Sequence, residues 1–394
     1  MPAYARGLQR EIEAVSDRWG PFQVSTVYVG GGTPSLMPLS LVADLMGAIR
    51  SAFDLAPRAE ITVETNPATV DETYLFGLRS LGVGRLSIGA QSVQDEVLRM
   101  LGRIHQWSDV VDAVDAAREA GFENLSLDLL FGLPGQSLRG WRETLDEALK
   151  LCPEHLSLYG LTVERGTPMA RRIARGELRP PDEDRAAAMY ELAEELLAGA
   201  GYFHYEISNW ARMDREAGSA GARWWPKHLA SGLDPDRSEA VSPLVSRHNL
   251  TYWRNEPWLG VGAGAHSWMP AEILSGGLRP RPEAAGGERW ANVVHPEDYL
   301  ASLDKGACSA SWRRTTEVID QAMEMGETMM LGLRLAEGVT TAQFEARFGL
   351  ALTDVYGDEL TCLSRLGLLA WDGEVARLTA RGRLLGNRVF ERFI

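Results

Sequence analysis

Five successive β-rich segments of this sequence each end in glycine or in a polar side chain. These ends are Gly30–Thr33, Glu64, Gln91, Asp128 and Thr162. A lone polar residue at a strand end is most often a helix cap or a solvated loop residue. Five in succession point instead to one shared pocket, because the carboxyl ends of parallel strands build the ligand sites of α/β folds.

The first of these ends is the glycine run GGGTPS at residues 30–35. Three glycines allow the backbone to approach a ligand closely and present N–H groups to its polar atoms. The run lacks the third spaced glycine of a dinucleotide fingerprint and the lysine of a P-loop. A tight strand-to-helix turn explains the same residues equally well.

A second candidate site is the aromatic and polar block Arg247–Trp268, which contains His248 and His266. Such a block could bind a flat aromatic ligand or supply an axial histidine to haem iron. A buried aromatic seam with hydrogen-bonded histidines is the alternative for either histidine.

Alternating strand and helix patterns position these residues over the first two hundred positions. Strands that recur with a helix between them imply βαβ units and a parallel sheet, in an open sheet or in a barrel. Polar strand ends favour a curved, barrel-like sheet with one working face. The predicted strands are residues 25–30, 60–65, 85–90, 124–131 and 155–162, and the predicted helices are residues 39–53, 73–81, 107–120 and 138–149.

We predict three regions in the chain. Residues 1–201 form a partial barrel, and residues 202–310 form an α+β extension with irregular insertions at 214–245 and 270–289. Residues 311–394 form a winged-helix-like domain, with a long helix at Thr316–Arg334 and a hairpin about Asp372–Gly373. This last domain is not notably basic, so we predict a packing or interaction role rather than DNA binding.

Composition narrows the class of protein. The 394 residues carry a formal net charge of −14, which argues against a broad nucleic-acid surface. The three cysteines, Cys152, Cys308 and Cys362, lie far apart and form no disulfide or metal-binding spacing. This usage and the lack of an apolar run of about 20 residues predict a soluble cytoplasmic protein.

Taken together, the motifs resemble the oxygen-independent coproporphyrinogen III oxidase-like radical-SAM family, and most closely its haem chaperone branch. They occur in that family's order over nearly the whole chain apart from the two insertions. The motifs are YVGGGTPS, ITVETNP, RLSIGAQS, LGRIH, SLDLLFGLPGQ, LSLYGLTVERGTP, YEISN, SRHNLTYW and LGVGAGAHS.

The resemblance implies a partial (β/α) barrel that binds S-adenosylmethionine at the strand ends. By motif position, Gly31, Gly32 and Thr33 would hold the methionine end and Glu64 would face the ribose. Gln91, Arg103 and Asp128 would complete the polar lining, with Thr162 and His266 near the adenosine. An arginine suits the carboxylate of this ligand, because the guanidinium can pair with it bidentately.

The chain departs from the family at its start. The family carries Cys-x-x-x-Cys-x-x-Cys for a [4Fe–4S] cluster after its first strand, and this segment is absent here. Because such clusters need cysteine thiolates, the chain as given is not expected to assemble one. A misplaced start codon is our preferred explanation. Without the preceding strand, residues 25–30 are expected to form an uncovered apolar edge.

Three functions follow from the resemblance. The preferred one is a haem chaperone that passes haem to an acceptor protein, with His248, Asn249, Tyr252 and Trp253 as candidate haem contacts. The second is the radical-SAM oxidation of coproporphyrinogen III, and the third is a cluster-free nucleoside- or porphyrin-binding protein. Nucleic acid is not expected as a partner, whereas transient membrane association with haemoprotein acceptors is.

Overall fold

The computed structural model describes residues 1–213, 244–274, 286–304 and 312–394, and its main element is an open seven-stranded sheet. The strand order is β1-β2-β3-β4-β5-β7-β6; the first five strands are parallel, and the last two are antiparallel. The strands are β1 (Gln23–Val29), β2 (Asp54–Thr65), β3 (Arg85–Gln91), β4 (Leu125–Phe131), β5 (His155–Gly160), β6 (Tyr202–Glu206) and β7 (Asn209–Arg212).

Helices connect the parallel strands, which confirms the predicted βαβ pattern. Local caps begin several of them: Asp71 accepts a hydrogen bond from the backbone N–H of Tyr74, and Ser137 accepts one from that of Gly140. The helices of this part are α1 (Pro2–Trp19), α2 (Leu39–Ala52), α3 (Glu72–Ser80), α4 (Asp95–Met100), α5 (Trp107–Glu119), α6 (Leu138–Lys150), α7 (Pro168–Ala174) and α8 (Glu183–Gly199).

The two faces of the sheet differ in chemistry. Residues such as Leu86, Leu127 and Leu156 are buried in one apolar core with the helices. The alternate residues of the same strands, such as Ser87 and Asp128, are polar and face the inside of the half-barrel, where they bond to each other. Parallel strands covered on both faces are usually apolar throughout. The alternation therefore marks a polar interior.

Strands β6 and β7 extend the main sheet beside β5, although β6 lies in the region predicted to begin a separate extension. The division at residue 201 stays a prediction.

A second, three-stranded antiparallel sheet follows, in the order β10-β9-β8. Its strand β10 corrects the predicted helix at Thr316–Arg334, because β-branched residues at 315–319 pair with β9 and the helix begins only after the Asp320 cap. This part contains α9 (Arg247–Trp253), β8 (His266–Pro270), α10 (Ala271–Leu274), β9 (Gly287–Asn292), α11 (Pro296–Leu303) and β10 (Arg313–Ile319).

The C-terminal residues form a winged-helix-like unit around its own apolar core. Its three strands are antiparallel in the order β11-β13-β12, and the predicted hairpin turns at Gly373, whose φ is 94°. The elements are α12 (Gln321–Gly332), β11 (Val339–Thr340), α13 (Thr341–Phe348), α14 (Leu352–Arg365), β12 (Leu369–Trp371), β13 (Val375–Leu378), α15 (Ala380–Leu384) and α16 (Gly386–Phe390).

Most of the two predicted insertions lies outside the described residues. The described ends of the second one, 270–274 and 286–289, belong to β8, α10 and β9, so these ends are regular rather than irregular. Among the described helices, none is long and apolar enough to cross a bilayer.

Candidate functional site

A polar cavity of about 210 Å³ lies at the carboxyl ends of β1–β4. It brings together six of the nine cofactor-binding residues predicted from the sequence. Its lining consists of Gly32, Thr33, Pro34, Glu64, Thr65, Asn66, Ser87, Gly89, Gln91, Arg103 and Asp128.

The glycine run and Glu64 form one side of the cavity. Gly31 and Gly32 have φ values of 82° and 66°, a region that glycine enters without strain. The backbone N–H of Gly31 donates to Glu64 Oε2 at 3.1 Å, and the Tyr28 hydroxyl donates to Glu64 Oε1 at 2.7 Å. Both carboxylate oxygens of Glu64 are thereby held in fixed directions.

Gln91 ends β3 in a strained conformation. Its φ of 65° is unusual for a residue with a side chain, and the pairing of β3 with β4 shifts register between Ile88 and Gln91. A Cβ atom on Gly89 would lie 3.0 Å from Gln91 Nε2, so the glycine makes room for this amide. Strain of this kind concentrates at functional sites.

Asp128 is the buried carboxylate of the cavity. The Ser87 hydroxyl lies 3.0 and 2.9 Å from its two oxygens. Burial raises the pKa of Asp128 to about 6, while the hydrogen bonds from Ser87 and Ser157 and the charge of Arg85 lower it. Its charge can therefore change close to neutral pH.

The remaining predicted residues lie around the cavity or away from it. Gly31 adjoins it through Glu64, whereas Thr162 and His266 are exposed and do not line it. Their assignment to the adenosine stays a prediction.

The second candidate site is helix α9, which carries the sequence RHNLTYW. Ser246 caps its first turn by accepting from the backbone N–H of Asn249. Glu60 of β2 accepts from the backbone N–H groups of Arg247 and His248 at 3.1 and 3.0 Å. A carboxylate at a helix N-terminus is favourable, so α9 is anchored against the inside of the sheet.

His248 is held on three sides. Its Nδ1 lies 2.9 Å from Thr26 Oγ1, and its Nε2 lies 3.0 Å from the Tyr252 hydroxyl. Its ring stacks on Tyr28 with centroids 4.9 Å apart. Burial and the charge of Arg85 lower the pKa of His248 to about 4, so the imidazole is neutral at pH 7.

Strand β1 is the edge of the sheet and pairs only with β2 among the described residues, as the sequence predicted, while helix α9 packs on its inner face at Thr26 and Tyr28. Trp253, another haem candidate on α9, packs against the guanidinium of Arg334, whose Cζ lies 4.4 Å from the centre of the Trp253 ring.

Two regions of the chain match known sequence families. Residues 4–148 match the Radical SAM superfamily, and residues 319–385 match the HemN C-terminal domain. The heme chaperone HemW of Lactococcus lactis is 32% identical over 97% of this chain and 89% of its own length. That of Bacillus subtilis is 33% identical over 99% of this chain and 91% of its own length. The chain belongs to the HemW family.

The fold agrees with this family. The solved structure of coproporphyrinogen III oxidase (HemN) from Escherichia coli superposes with a TM-score of 0.74, covering 99% of this chain and 82% of that one. At 23% identity this likeness concerns the fold: a radical-SAM half-barrel with small antiparallel sheets.

The residues of this HemW-family chain do not fit a [4Fe–4S] cluster. Cys152 precedes β5 at the amino end of the sheet and Cys362 lies in α14, both exposed, while Cys308 falls outside the described residues. Within the described ranges, no group of three or more histidine, cysteine or acidic residues could hold a metal ion.

Sequence reasoning missed Tyr28, Glu60 and Arg85, which all face the interior. Tyr28 connects the two candidate sites, because it stacks on His248 and bonds to Glu64. The missed signal was the alternation in TVYV, EITVE and RLSIGAQ, where every second residue is polar or glycine and the residues between are apolar.

Proposed function

We propose that this HemW-family protein binds haem and transfers it to an acceptor protein, in the cytoplasm and with transient membrane contact where the acceptor is membrane-bound. Helix α9 carries the proposal, because it holds a neutral imidazole among aromatic side chains beside a polar cavity. Neutral imidazole is the form that binds iron. The oxidase alternative is supported by the fold likeness and by the match of residues 319–385 to the HemN C-terminal domain, but not by the full-length relatives reported above.

In this proposal, His248 Nε2 is the atom that binds haem iron. Nδ1 can donate to Thr26, which orients the ring and leaves the lone pair on Nε2. That lone pair is used by the Tyr252 hydroxyl at 3.0 Å, so Tyr252 must move aside when haem binds. Tyr252 therefore competes with haem iron for His248 Nε2.

We predict that His248→Ala weakens haem binding at least tenfold and shifts the Soret band, because the axial nitrogen is lost. Tyr252→Phe is expected to bind haem at least as tightly as the wild type, because no hydrogen bond between His248 Nε2 and residue 252 has to break before iron binds. The measurement is a spectrophotometric haem titration, with His295→Ala, which removes an exposed histidine, as the matched control.

Wild-type affinity and an unchanged Soret band in His248→Ala would refute this ligand assignment. Decarboxylation of coproporphyrinogen III by the purified protein, without haem binding, would favour the oxidase.

We further propose that the strand-end cavity binds S-adenosylmethionine. Asp128 can attract its amine or sulfonium, Glu64 can accept from its ribose hydroxyls, and Arg103 can pair with its carboxylate. The glycine run adds backbone N–H donors. When bound, this ligand supplies an activated sulfonium carbon; the residues named here orient it.

The charge of Asp128 predicts a pH dependence for this ligand. Its pKa of about 6 means that protonation below pH 6 removes the attraction for a cation. Affinity for S-adenosylmethionine is expected to be about tenfold lower at pH 5 than at pH 7, as judged by calorimetric titration. Asp128→Asn should bind S-adenosylmethionine weakly, with an affinity that does not change between pH 5 and pH 7. The exposed control Asp112→Asn should bind it as the wild type does. A wild-type affinity that is flat from pH 5 to pH 7 argues against the assignment.

A further inference from the structure

Arg85 is the first residue of β3, in the sequence RLSIGAQ. Leu86, Ile88 and Ala90 belong to the apolar core between the sheet and the helices. Strand geometry therefore places Arg85 on the opposite face with Ser87, about 6.6 Å below it along the strand. Ser87 lines the strand-end cavity, so Arg85 lies below that lining on the same face of the sheet.

The guanidinium of Arg85 is buried with an unsatisfied donor. The residue is 3% exposed, and its Nε has no hydrogen-bond partner among the described residues. Burying a cation without full compensation is costly, and buried arginines in proteins are normally paired. A stable fold that keeps such a group points to a ligand as its partner.

The groups around Arg85 are already engaged with other partners. Arg85 lowers the pKa of Asp128, and it also lowers the pKa values of His155 and His248, which are neutral at pH 7. His155 is already bonded to Ser126 and to Tyr205, both at 2.8 Å. The three carboxylates of this interior also have other partners: the Ser87 hydroxyl is shared between the two oxygens of Asp128, Tyr28 and Gly31 donate to Glu64, and the backbone of α9 donates to Glu60.

We propose that Arg85 binds a carboxylate group of the ligand at the floor of the half-barrel. A guanidinium fork matches a carboxylate bidentately, and the charge of Arg85 acts both on Asp128 of the cavity and on His248 of α9. The carboxylate comes from a haem propionate, or from the amino-acid end of S-adenosylmethionine, in which case Arg85 replaces Arg103 as its partner. This inference deepens the proposed function and relies on it for the choice of ligands.

The first test compares Arg85→Met with Arg139→Met, a control in which the side chain is 89% exposed. Removing an unmatched buried cation should leave the melting temperature of the ligand-free protein unchanged or raise it by about 3 °C. Sodium propionate, compared with equal sodium chloride, should raise the melting temperature of the wild type and of Arg139→Met but not that of Arg85→Met. A fall of several degrees in ligand-free Arg85→Met, or a propionate effect that survives the substitution, would overturn the proposal.

The second test identifies the source of the carboxylate. Wild-type protein is titrated with hemin and with hemin dimethyl ester, and separately with S-adenosylmethionine and its decarboxylated form. The ligand whose carboxylate Arg85 binds should bind at least about thirtyfold more tightly than the form in which that carboxylate is esterified or removed. Arg85→Met should abolish that preference. Arg85→Lys, which keeps the charge but loses the fork, should retain part of it.

The outcomes separate this inference from the proposed function. If the wild type binds no hemin, the proposed function fails, while the propionate and S-adenosylmethionine measurements still decide the role of Arg85. If the wild type binds hemin and Arg85→Met keeps every ligand preference, the inference alone is wrong.

Discussion

Glu11→Ala is expected to destabilise the protein by about 3 to 5 kcal/mol, because it leaves several buried donors without an acceptor. Glu11 lies in α1 and is 1% exposed. Its Oε2 accepts from the backbone N–H of Gly262 at 2.8 Å and from the Tyr299 hydroxyl at 2.5 Å, and its Oε1 accepts from Asn292 Nδ2 at 2.7 Å.

This carboxylate connects α1 to the loop that carries the GAGAHS motif, to β9 and to α11. Tyr4, on the same helix, accepts from the backbone N–H of Ala263 in that loop. Loss of the Glu11 hydrogen bonds should therefore also loosen the segment before His266. Urea unfolding measures the effect on stability, and proteolysis within residues 260–266 measures the loosening.

Glu13→Ala is the matched control, because Glu13 lies on the same helix and is exposed. Its effect should stay within about 0.5 kcal/mol. A Glu11→Ala variant within 1 kcal/mol of the wild type would mean that the hydrogen bonds around Glu11 contribute little.

The second large effect concerns Glu206, and its size depends on pH. Glu206 is fully buried between the β6–β7 turn and the C-terminal unit; it accepts from Asn209, and its Oε2 has no partner among the described residues. Burial raises its pKa to about 7, although the charge of Arg334 acts against this.

A raised carboxyl pKa means that the folded protein binds a proton more tightly than the unfolded chain. The stability from this proton is complete below about pH 4.5 and is lost as pH rises to about 7. The loss amounts to about 3 kcal/mol. Glu206→Gln should therefore be more stable than the wild type at pH 8, with the difference shrinking toward pH 5.

The difference between the two proteins is the decisive quantity, because other groups titrate in the same range. Asp128 contributes with the same sign, and His248, with its lowered pKa, contributes with the opposite sign. Urea unfolding at pH 5, 6, 7 and 8 gives the difference, with the exposed Glu195→Gln as control. A pH-independent difference would contradict a buried, titrating Glu206.

Most of the half-barrel was predictable because its signals are local. Apolar runs such as LSLDLLF and the caps Asp71 and Ser137 set strands and helices within a few residues of their predicted bounds. The predicted start of the helix at Thr316 was wrong, because β10 pairs with residues of β9 that lie 21 to 32 positions earlier in the chain. A local sequence pattern cannot reveal that pairing.

The sequence by itself determined the order of strands and helices, the polar strand ends and the motifs of the family. Only the tertiary structure decided that Tyr28 joins His248 to Glu64, that Glu60 anchors α9, and that Arg85 is buried. The physical reason is that backbone preference and amphipathic period act over a few residues. Burial, pKa and hydrogen-bond partnership instead depend on side chains that distant parts of the chain bring together.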